Sequence, residues 1–337
     1  TEIYTLSLHD ALPISCRFPV FRENEAQTGW LETGSTARQL TLTELKVPSP
    51  GRACLKLKSL FKVVDLLSRT RAIDRFPVRL VSTHSFRVTY MTFDPFIHHP
   101  ALKDHIIEAR SSYFREFTVE RLLAEMPEFE KFLPWTLPDA EREALRSKAL
   151  ADHTGDLWVF AYGSLMWDPA LEFAEVRRGF APAHARKFAL RDDKGGRGTA
   201  DAPGLMAALA QGNGCHGLVF RLAEDKVEVE TEILFRREMI GPGYLAEFIP
   251  VQIDEKRFHA LTFLANPDSP ETMLDIHRDQ QVRWIATGSG ILGTSRDYLA
   301  NIVAQFDRLG IADDACSTLL RDVDAFIEAS VKKETAR

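Results

Sequence analysis

The stretch LWVFAYGSLMW, residues 157–167, decides the fold of the chain. Its first five residues are aromatic, aliphatic or β-branched, a composition typical of a buried strand. The strand runs into Tyr162-Gly-Ser-Leu165, where Gly163 allows a tight turn and the close approach of a ligand. Successive backbone N–H groups in such a turn can bind a carboxylate or an oxyanion, and a plain β-turn is the simpler alternative.

Two common catalytic motifs are excluded near this strand. Ser164 lacks the flanking G-x-S-x-G of a nucleophile elbow, so a serine nucleophile is not predicted. The stretch KGGRGT at 194–199 is predicted to be a flexible Gly-rich loop, and it lacks the Walker spacing of a P-loop.

Further strands are predicted on the C-terminal side of this turn. Residues 176–192 form one or two strands, and the others are predicted at 205–210, 215–222, 244–253 and 258–265. Most of these roughly six strands are joined by short loops, and one long helix interrupts them. This order favours an α+β fold with a small antiparallel or mixed closed sheet over a doubly wound one.

The interrupting helix is predicted at 224–239 and ends at a Gly-Pro-Gly sequence. Val227, Thr231, Leu234 and Glu238 share one face of this helix, which is predicted to face the core. A carboxylate therefore occupies the last turn of a core-facing stripe.

The position of Glu238 predicts an unusual carboxyl group. The helix dipole opposes negative charge in the last turn, and partial burial has the same effect, so both raise the pKa toward the range of a general acid/base. Arg236 and Arg237 are predicted to lie well around the helix from Glu238, and Glu230 and Glu232 to be solvated. Spacing alone leaves open the alternative of a surface Glu238 paired with one of these arginines.

The chain before this domain differs in charge from the rest. Residues 1–90 carry 13 Lys and Arg against 8 Asp and Glu, and all six Met lie at position 91 or later. Residues 1–15 resemble a translated sequencing adapter, so residues 1–90, with an apolar patch at 55–67, are predicted to be non-native or disordered. A basic nucleic-acid-binding arm is the weaker alternative. The natural start is then expected at Met91.

The remaining segments are predicted to be helical. Residues 91–153 are read as a helical extension with two or three helices, with starts at Thr118 and Asp139. Residues 154–333 are predicted to form the main domain, in which helices are predicted at 270–285, 297–309 and 313–333.

Composition excludes several classes of protein. The chain has 337 residues, 45% of them hydrophobic, and a net charge of −6, which gives no indication of a nucleic-acid partner. No apolar run approaches the length of a membrane span. Four Cys without ligand spacing, and His98, His99 and His105 without further ligands, predict no metal site. The sequence does not indicate an oligomeric state.

Five segments together resemble the ChaC-type γ-glutamylcyclotransferases. They are VFAYGSLMW at 159–167, RGTADAPG at 197–204, GLVF at 217–220, REM at 237–239 with Tyr244, and GILGTSRDYL at 290–299. They occur in the family's order and cover about residues 156–311. The residues after Glu238 resemble the longer bacterial form of the family.

This resemblance implies a small β-barrel flanked by helices and a cytosolic enzyme that cleaves glutathione into 5-oxoproline and cysteinylglycine, with no metal or cofactor. It places Glu238 as the catalytic acid/base, and Tyr162, Gly163, Ser164 and Leu165 as the loop that holds the γ-glutamyl group.

Three more residues are candidates for substrate binding. Arg197 is a candidate for a substrate carboxylate, and Tyr244 and Tyr298 for hydroxyl hydrogen bonds. A loop-surface arginine and two packing tyrosines are the alternatives. For the chain as a whole, the alternatives are a cyclotransferase for other γ-glutamyl amines or amino acids and a non-catalytic γ-glutamyl-binding module.

Overall fold

The chain divides into two units, Thr1–Phe93 and Asp94–Arg337. The structure is a computed structural model, and it describes residues 2–5, 20–22, 78–83, 85–90 and 94–335. The predicted apolar patch at 55–67 lies outside the described residues. The origin of residues 1–90 stays a prediction.

The described residues of the first unit form an antiparallel sheet in the order β2-β1-β3-β4. Its strands are β1 (Glu2–Thr5), β2 (Val20–Arg22), β3 (Val78–Thr83) and β4 (Ser85–Tyr90).

The second unit contains a closed β-barrel. Its strands are β5 (Leu157–Ala161), β6 (Glu175–Ala181), β7 (His184–Asp192), β8 (Gly204–Gln211), β9 (Cys215–Leu222), β10 (Tyr244–Ile253) and β11 (Lys256–Ala265). Strands β5, β9, β6, β10 and β11 pair in that order, and β11 pairs with β5 to close the ring. Strands β8 and β7 extend the sheet from β11. The predicted α+β fold with a mixed closed sheet is confirmed.

Among the described residues, the second unit has six α-helices: α1 (Val119–Glu125), α2 (Asp139–Leu150), α3 (Val227–Glu238), α4 (Arg278–Thr287), α5 (Ser295–Leu309) and α6 (Asp314–Thr335). A two-stranded ribbon, β12 (Ser289–Gly290) and β13 (Gly293–Thr294), precedes α5. Within the described ranges, every helix is either too short or too polar to span a bilayer.

The core lies inside the barrel and beneath the helices. Val159, Phe220 and Leu261 on three neighbouring strands are fully buried. Helix α3 packs onto the barrel through Phe235, whose ring meets that of Phe263 edge to face at 5.4 Å between centroids. This packing fixes the C-terminal end of α3 relative to the mouth of the barrel.

The helix predicted at 270–285 begins later than expected. It starts at Arg278, and His277 caps it by accepting a hydrogen bond from the Asp279 N–H. The preceding residues pair with β7 instead, since Met273 N–H donates to the Ala189 carbonyl. Tertiary pairing with a strand therefore replaces the first turns of the predicted helix.

In the helical extension at 91–153, both α-helices begin at the positions that the sequence predicts. The Thr118 side chain accepts from the Arg121 N–H at 3.1 Å and caps α1, and α2 starts at Asp139. Between them lies the 3₁₀ helix Pro127–Trp135, which contains Pro134. A 3₁₀ segment has no α-helical hydrogen-bond ladder for a proline to interrupt.

Candidate active site

Helix α3 ends at Glu238, because Met239 leaves the helical conformation. The Glu238 side chain is 14% exposed and lines a cavity of about 200 Å³. Burial raises the pKa of this carboxyl above its ordinary value, the Arg237 guanidinium opposes the rise, and the negative charge of Asp168 adds to it. The carboxyl group thus has the raised pKa that its place in the sequence predicts.

Arg237 lies against Glu238, and the prediction that it lies well around the helix is wrong. Its Nε is 2.9 Å from Glu238 Oε1, and its Nη2 donates to Ser164 Oγ at 3.0 Å. Adjacent side chains diverge on a continuing helix. Here the helix ends at Glu238, and a buried guanidinium needs an anionic partner, so the long arginine side chain bends toward the carboxylate. The alternative of an arginine-paired Glu238 holds, but the pair faces a cavity and not the surface.

Strand β5 positions the turn at 162–165, called the YGSL turn below. Gly163 is required here by close approach, since a Cβ atom on it would lie 2.5 Å from the Tyr298 hydroxyl oxygen. Ser164 then starts the 3₁₀ turn Ser164–Met166. The first N–H groups of a helical turn have no acceptor within that turn, so they are available to an oxygen of a ligand.

Three tyrosines line the cavity, Tyr162 of the YGSL turn together with Tyr244 and Tyr298. Tyr162 donates to the Phe263 carbonyl at 2.6 Å and Tyr244 donates to the Ala207 carbonyl at 3.1 Å. Burial raises the pKa of Tyr162 and Tyr244 well above the ordinary value, and that of Tyr298 to about 12. All three are therefore protonated near neutral pH, and two of them are already held by backbone carbonyls.

Arg197 lies on the Gly-rich loop that was predicted to be flexible. The Asp192 carboxylate accepts the backbone N–H groups of Lys194 and Arg197. The Arg197 guanidinium lies over the Tyr298 ring, 4.8 Å from its centroid, and donates to the Thr294 carbonyl at 3.3 Å. These contacts hold the loop in one conformation and place its arginine beside the tyrosine.

All eight site residues predicted from the sequence line this one cavity. They are Tyr162, Gly163, Ser164, Leu165, Arg197, Glu238, Tyr244 and Tyr298. Their roles in catalysis and binding stay predictions. Among the described residues, no group of three or more His, Cys, Asp or Glu side chains is arranged to hold a metal ion.

Sequence reasoning missed three parts of the cavity wall. Arg237 stands in the REM segment, but its contact with Glu238 depends on where the helix ends. Asp192 is a buried carboxylate with no motif of its own. The aromatic residues of the extension, such as Phe117 and Phe129, also line the cavity, whereas the sequence predicts only helices for this segment.

Comparison with known proteins gives consistent matches. The sequence model of the family described as ChaC-like protein matches residues 157–326, which include all eight residues above. A glutathione-specific gamma-glutamylcyclotransferase from Escherichia coli (strain K12) is 37% identical over 195 residues, 58% of this chain and 84% of that protein. The glutathione-specific gamma-glutamylcyclotransferase 1 of Homo sapiens is 27% identical over 178 residues, 49% of this chain and 80% of that protein.

Among solved structures, a selenomethionine-labelled glutathione-specific gamma-glutamyl cyclotransferase from yeast is 19% identical. It matches 51% of this chain and 97% of its own, with a TM-score of 0.47.

Proposed function

The chain belongs to the ChaC-like protein family, and from this premise we propose that it cleaves glutathione into 5-oxoproline and cysteinylglycine. The relatives named glutathione-specific gamma-glutamylcyclotransferase support this choice of substrate. One structural observation carries the proposal, namely the cavity that Glu238 shares with the YGSL turn. The reaction needs a proton-transfer group and an anion-binding turn on either side of one substrate.

The nucleophile in this proposal belongs to the substrate. The γ-glutamyl α-amine attacks its own γ-carbonyl carbon and closes a five-membered ring, and the bond to the cysteine nitrogen then breaks. Because both groups are in one molecule, much of the orientation is built into the substrate. The protein must fold the γ-glutamyl chain onto itself, transfer protons from the α-nitrogen to the cysteine nitrogen and stabilise the developing oxyanion.

Glu238 carries out both proton steps. Its carboxylate accepts a proton from the substrate α-ammonium, and the resulting carboxylic acid donates that proton to the departing cysteine nitrogen. The carboxylate then accepts the second proton that the ring nitrogen loses and passes it to the released amine, so two protons move from the α-nitrogen to the cysteine nitrogen. The side chain therefore ends each cycle as it began, and no water is consumed. A raised pKa suits both steps, since it strengthens the base and keeps the acid form accessible near neutral pH.

The other predicted residues bind the substrate. Backbone N–H groups of the YGSL turn donate to an oxygen of the γ-glutamyl group, and Arg197 pairs with a substrate carboxylate. Of the three tyrosines, Tyr298 is best placed to donate to the substrate, because Tyr162 and Tyr244 already donate to backbone carbonyls.

We propose the cytoplasm as the location of this enzyme. Cys215 and Cys316, the cysteines of the described region, are buried free thiols. A reducing compartment maintains thiols in this state, and glutathione itself is abundant there in its thiol form.

The test is a product assay with the full chain and glutathione. We expect equal amounts of 5-oxoproline and cysteinylglycine, with no label incorporated from ¹⁸O-water. Glutathione acetylated on its α-amine is the matched control, and it should not be cleaved because its nucleophile is blocked.

Other results would replace the proposal. Release of labelled glutamate would indicate a hydrolase that uses water as the nucleophile. Tight glutathione binding without turnover would indicate a binding module, and faster turnover of γ-glutamylalanine would indicate a cyclotransferase with a different substrate.

A further inference from the structure

The cavity has an apolar side that the proposed chemistry does not use. It is formed by the side chains of Phe114, Phe117, Met126, Phe129, Trp135 and Ile240, which we call the apolar annex. Five of these residues belong to the extension before the barrel, and Ile240 follows α3. The annex is therefore contributed by a different segment from the YGSL turn and Arg197.

The side chains of the annex are packed against one another and form a preformed wall of the cavity. Phe117 and Phe129 are buried in a cluster of their own, separate from the barrel core. The rings of Phe114 and Phe117 lie 6.0 Å apart between centroids. The wall also abuts the site loops closely, because a Cβ atom on Gly241 would lie 2.3 Å from the Trp135 ring.

Hydrogen bonds and ion pairs fix the annex relative to α3. Arg115 forms a two-pronged ion pair with Glu230 on this helix, and Arg236 Nη2 donates to the Arg115 carbonyl at 3.0 Å. The Arg237 guanidinium, which contacts Glu238, lies 4.1 Å from the centroid of the Phe114 ring. The annex is thus held at a set position beside the proposed acid/base.

Glutathione alone does not match this wall. The part that leaves, cysteinylglycine, carries an amide, a carboxylate and a small thiol, and aromatic rings offer these polar groups no strong hydrogen-bond partners. A bulky apolar group on the sulfur would match, since it would bury its surface against the rings while the γ-glutamyl group stays at the YGSL turn.

On this basis we propose that the apolar annex binds the S-substituent of glutathione thioethers, and that the enzyme cleaves S-alkyl and S-aryl glutathione. The reaction is the same ring closure, so the products are 5-oxoproline and the S-substituted cysteinylglycine, and the C–S bond stays intact. This proposal rests on the proposed cyclotransferase function.

The test compares glutathione, S-benzylglutathione and γ-glutamylphenylalanylglycine as substrates of the full chain. We expect a KM about tenfold lower for S-benzylglutathione than for glutathione with a similar kcat, because binding the remote benzyl group stabilises ground state and transition state equally. Faster cleavage of the phenylalanyl peptide than of the thioether, by kcat/KM, would overturn the thioether assignment.

Two variants, one within α1 and one at the residue that follows it, test whether the preference for the thioether arises at the apolar annex. Met126→Asp places a charge in the annex and should lower kcat/KM about tenfold more for S-benzylglutathione than for glutathione. Leu123→Asp is the matched control, because Leu123 packs on the same cluster without lining the cavity, and it should leave the ratio of the two substrates unchanged.

Product inhibition of the wild-type enzyme tests the proposal without relying on variants that could fail to fold. S-Benzylcysteinylglycine should inhibit glutathione turnover at about tenfold lower concentration than cysteinylglycine. Turnover of glutathione with no preference for the thioether and no such inhibition would refute the annex proposal alone. Absence of turnover for every substrate would refute the proposed function instead.

Discussion

Helix α3 carries two carboxylates that the fold treats in opposite ways. Glu230 has 0% of its surface exposed, and its oxygens accept from both arms of Arg115 and from the Glu172 N–H at 2.9 Å. Glu238, two turns further on, is 14% exposed, pairs with Arg237 and faces a cavity. The first carboxylate has its acceptor sites occupied, and the second keeps acceptor capacity for a ligand.

The comparison separates a structural carboxylate from a reactive one. Burial does not distinguish them, because Glu230 is the more buried of the two. What distinguishes Glu238 is the cavity that its carboxyl group lines, together with the contact of that group with Arg237, which also lines the cavity. We expect substitutions at Glu238 to change turnover and substitutions at Glu230 to change stability.

The largest effect is expected for Glu238→Gln. The amide has nearly the same shape but cannot accept and return a proton, so kcat for cysteinylglycine release should fall by about 10²–10⁴-fold. Circular dichroism and thermal unfolding should show an intact fold.

The matched control for this change is Glu232→Gln, on the exposed side of the same helix, where Glu232 pairs with Arg236. It should retain full turnover. Wild-type turnover in Glu238→Gln would show that this carboxyl group takes no part in the mechanism. Glu238 and Glu230 would then not differ in function in the way proposed.

The next largest effect is expected for Glu230→Ala. It leaves the Arg115 guanidinium, which is mostly buried, without its main partner, and the free energy of unfolding should fall by about 3 kcal/mol. Urea denaturation measures this loss, while kcat at a temperature where the variant is folded should stay within a few-fold of wild type.

A double variant sharpens the interpretation of Glu230. Arg115→Met combined with Glu230→Leu removes both charges and keeps similar volume, so most of the lost stability should return. If Glu230→Ala instead lost turnover as severely as Glu238→Gln, Glu230 would belong to the reactive part of the helix.

Local patterns explain what the sequence predicted correctly. The aromatic and β-branched run of β5, the glycine after it and the stripe on α3 are each readable within a few residues. Glu238 was found this way, because its place in the last turn of a core-facing stripe is a local property. The number of strands and their positions along the chain likewise followed from short runs and short loops, but the order in which they pair did not.

Long-range contacts explain the errors. Glu230 was predicted to be solvated because it lies off the apolar stripe, yet its partner Arg115 is 115 residues away in the chain. No periodicity encodes that pairing. The same holds for the apolar annex, whose aromatic residues give a packing pattern that does not reveal a cavity on one side.

The smallest expected effect tests how Arg237 tunes Glu238. The guanidinium lowers the pKa of this carboxyl against the larger effect of burial, so Arg237→Gln should raise the pKa further. The base form is the carboxylate, and activity is therefore lost as the pH falls through this pKa. The acidic limb of the kcat/KM profile should move to higher pH. At a pH on that limb, kcat/KM should fall about fivefold, which corresponds to an increase of about 1 kcal/mol in the activation free energy.

Arg237 acts in this prediction as a positioning residue, so a structural defect must be separated from an electrostatic one. Arg236→Gln is the matched control, because this neighbouring arginine pairs with Glu232 and not with Glu238, and its acidic limb should coincide with that of wild type. Arg237→Lys keeps the charge and should place the limb between those of wild type and Arg237→Gln. A uniform loss of kcat/KM at every pH, with no movement of the limb, would show that Arg237 orders the YGSL turn through Ser164 without influencing proton transfer.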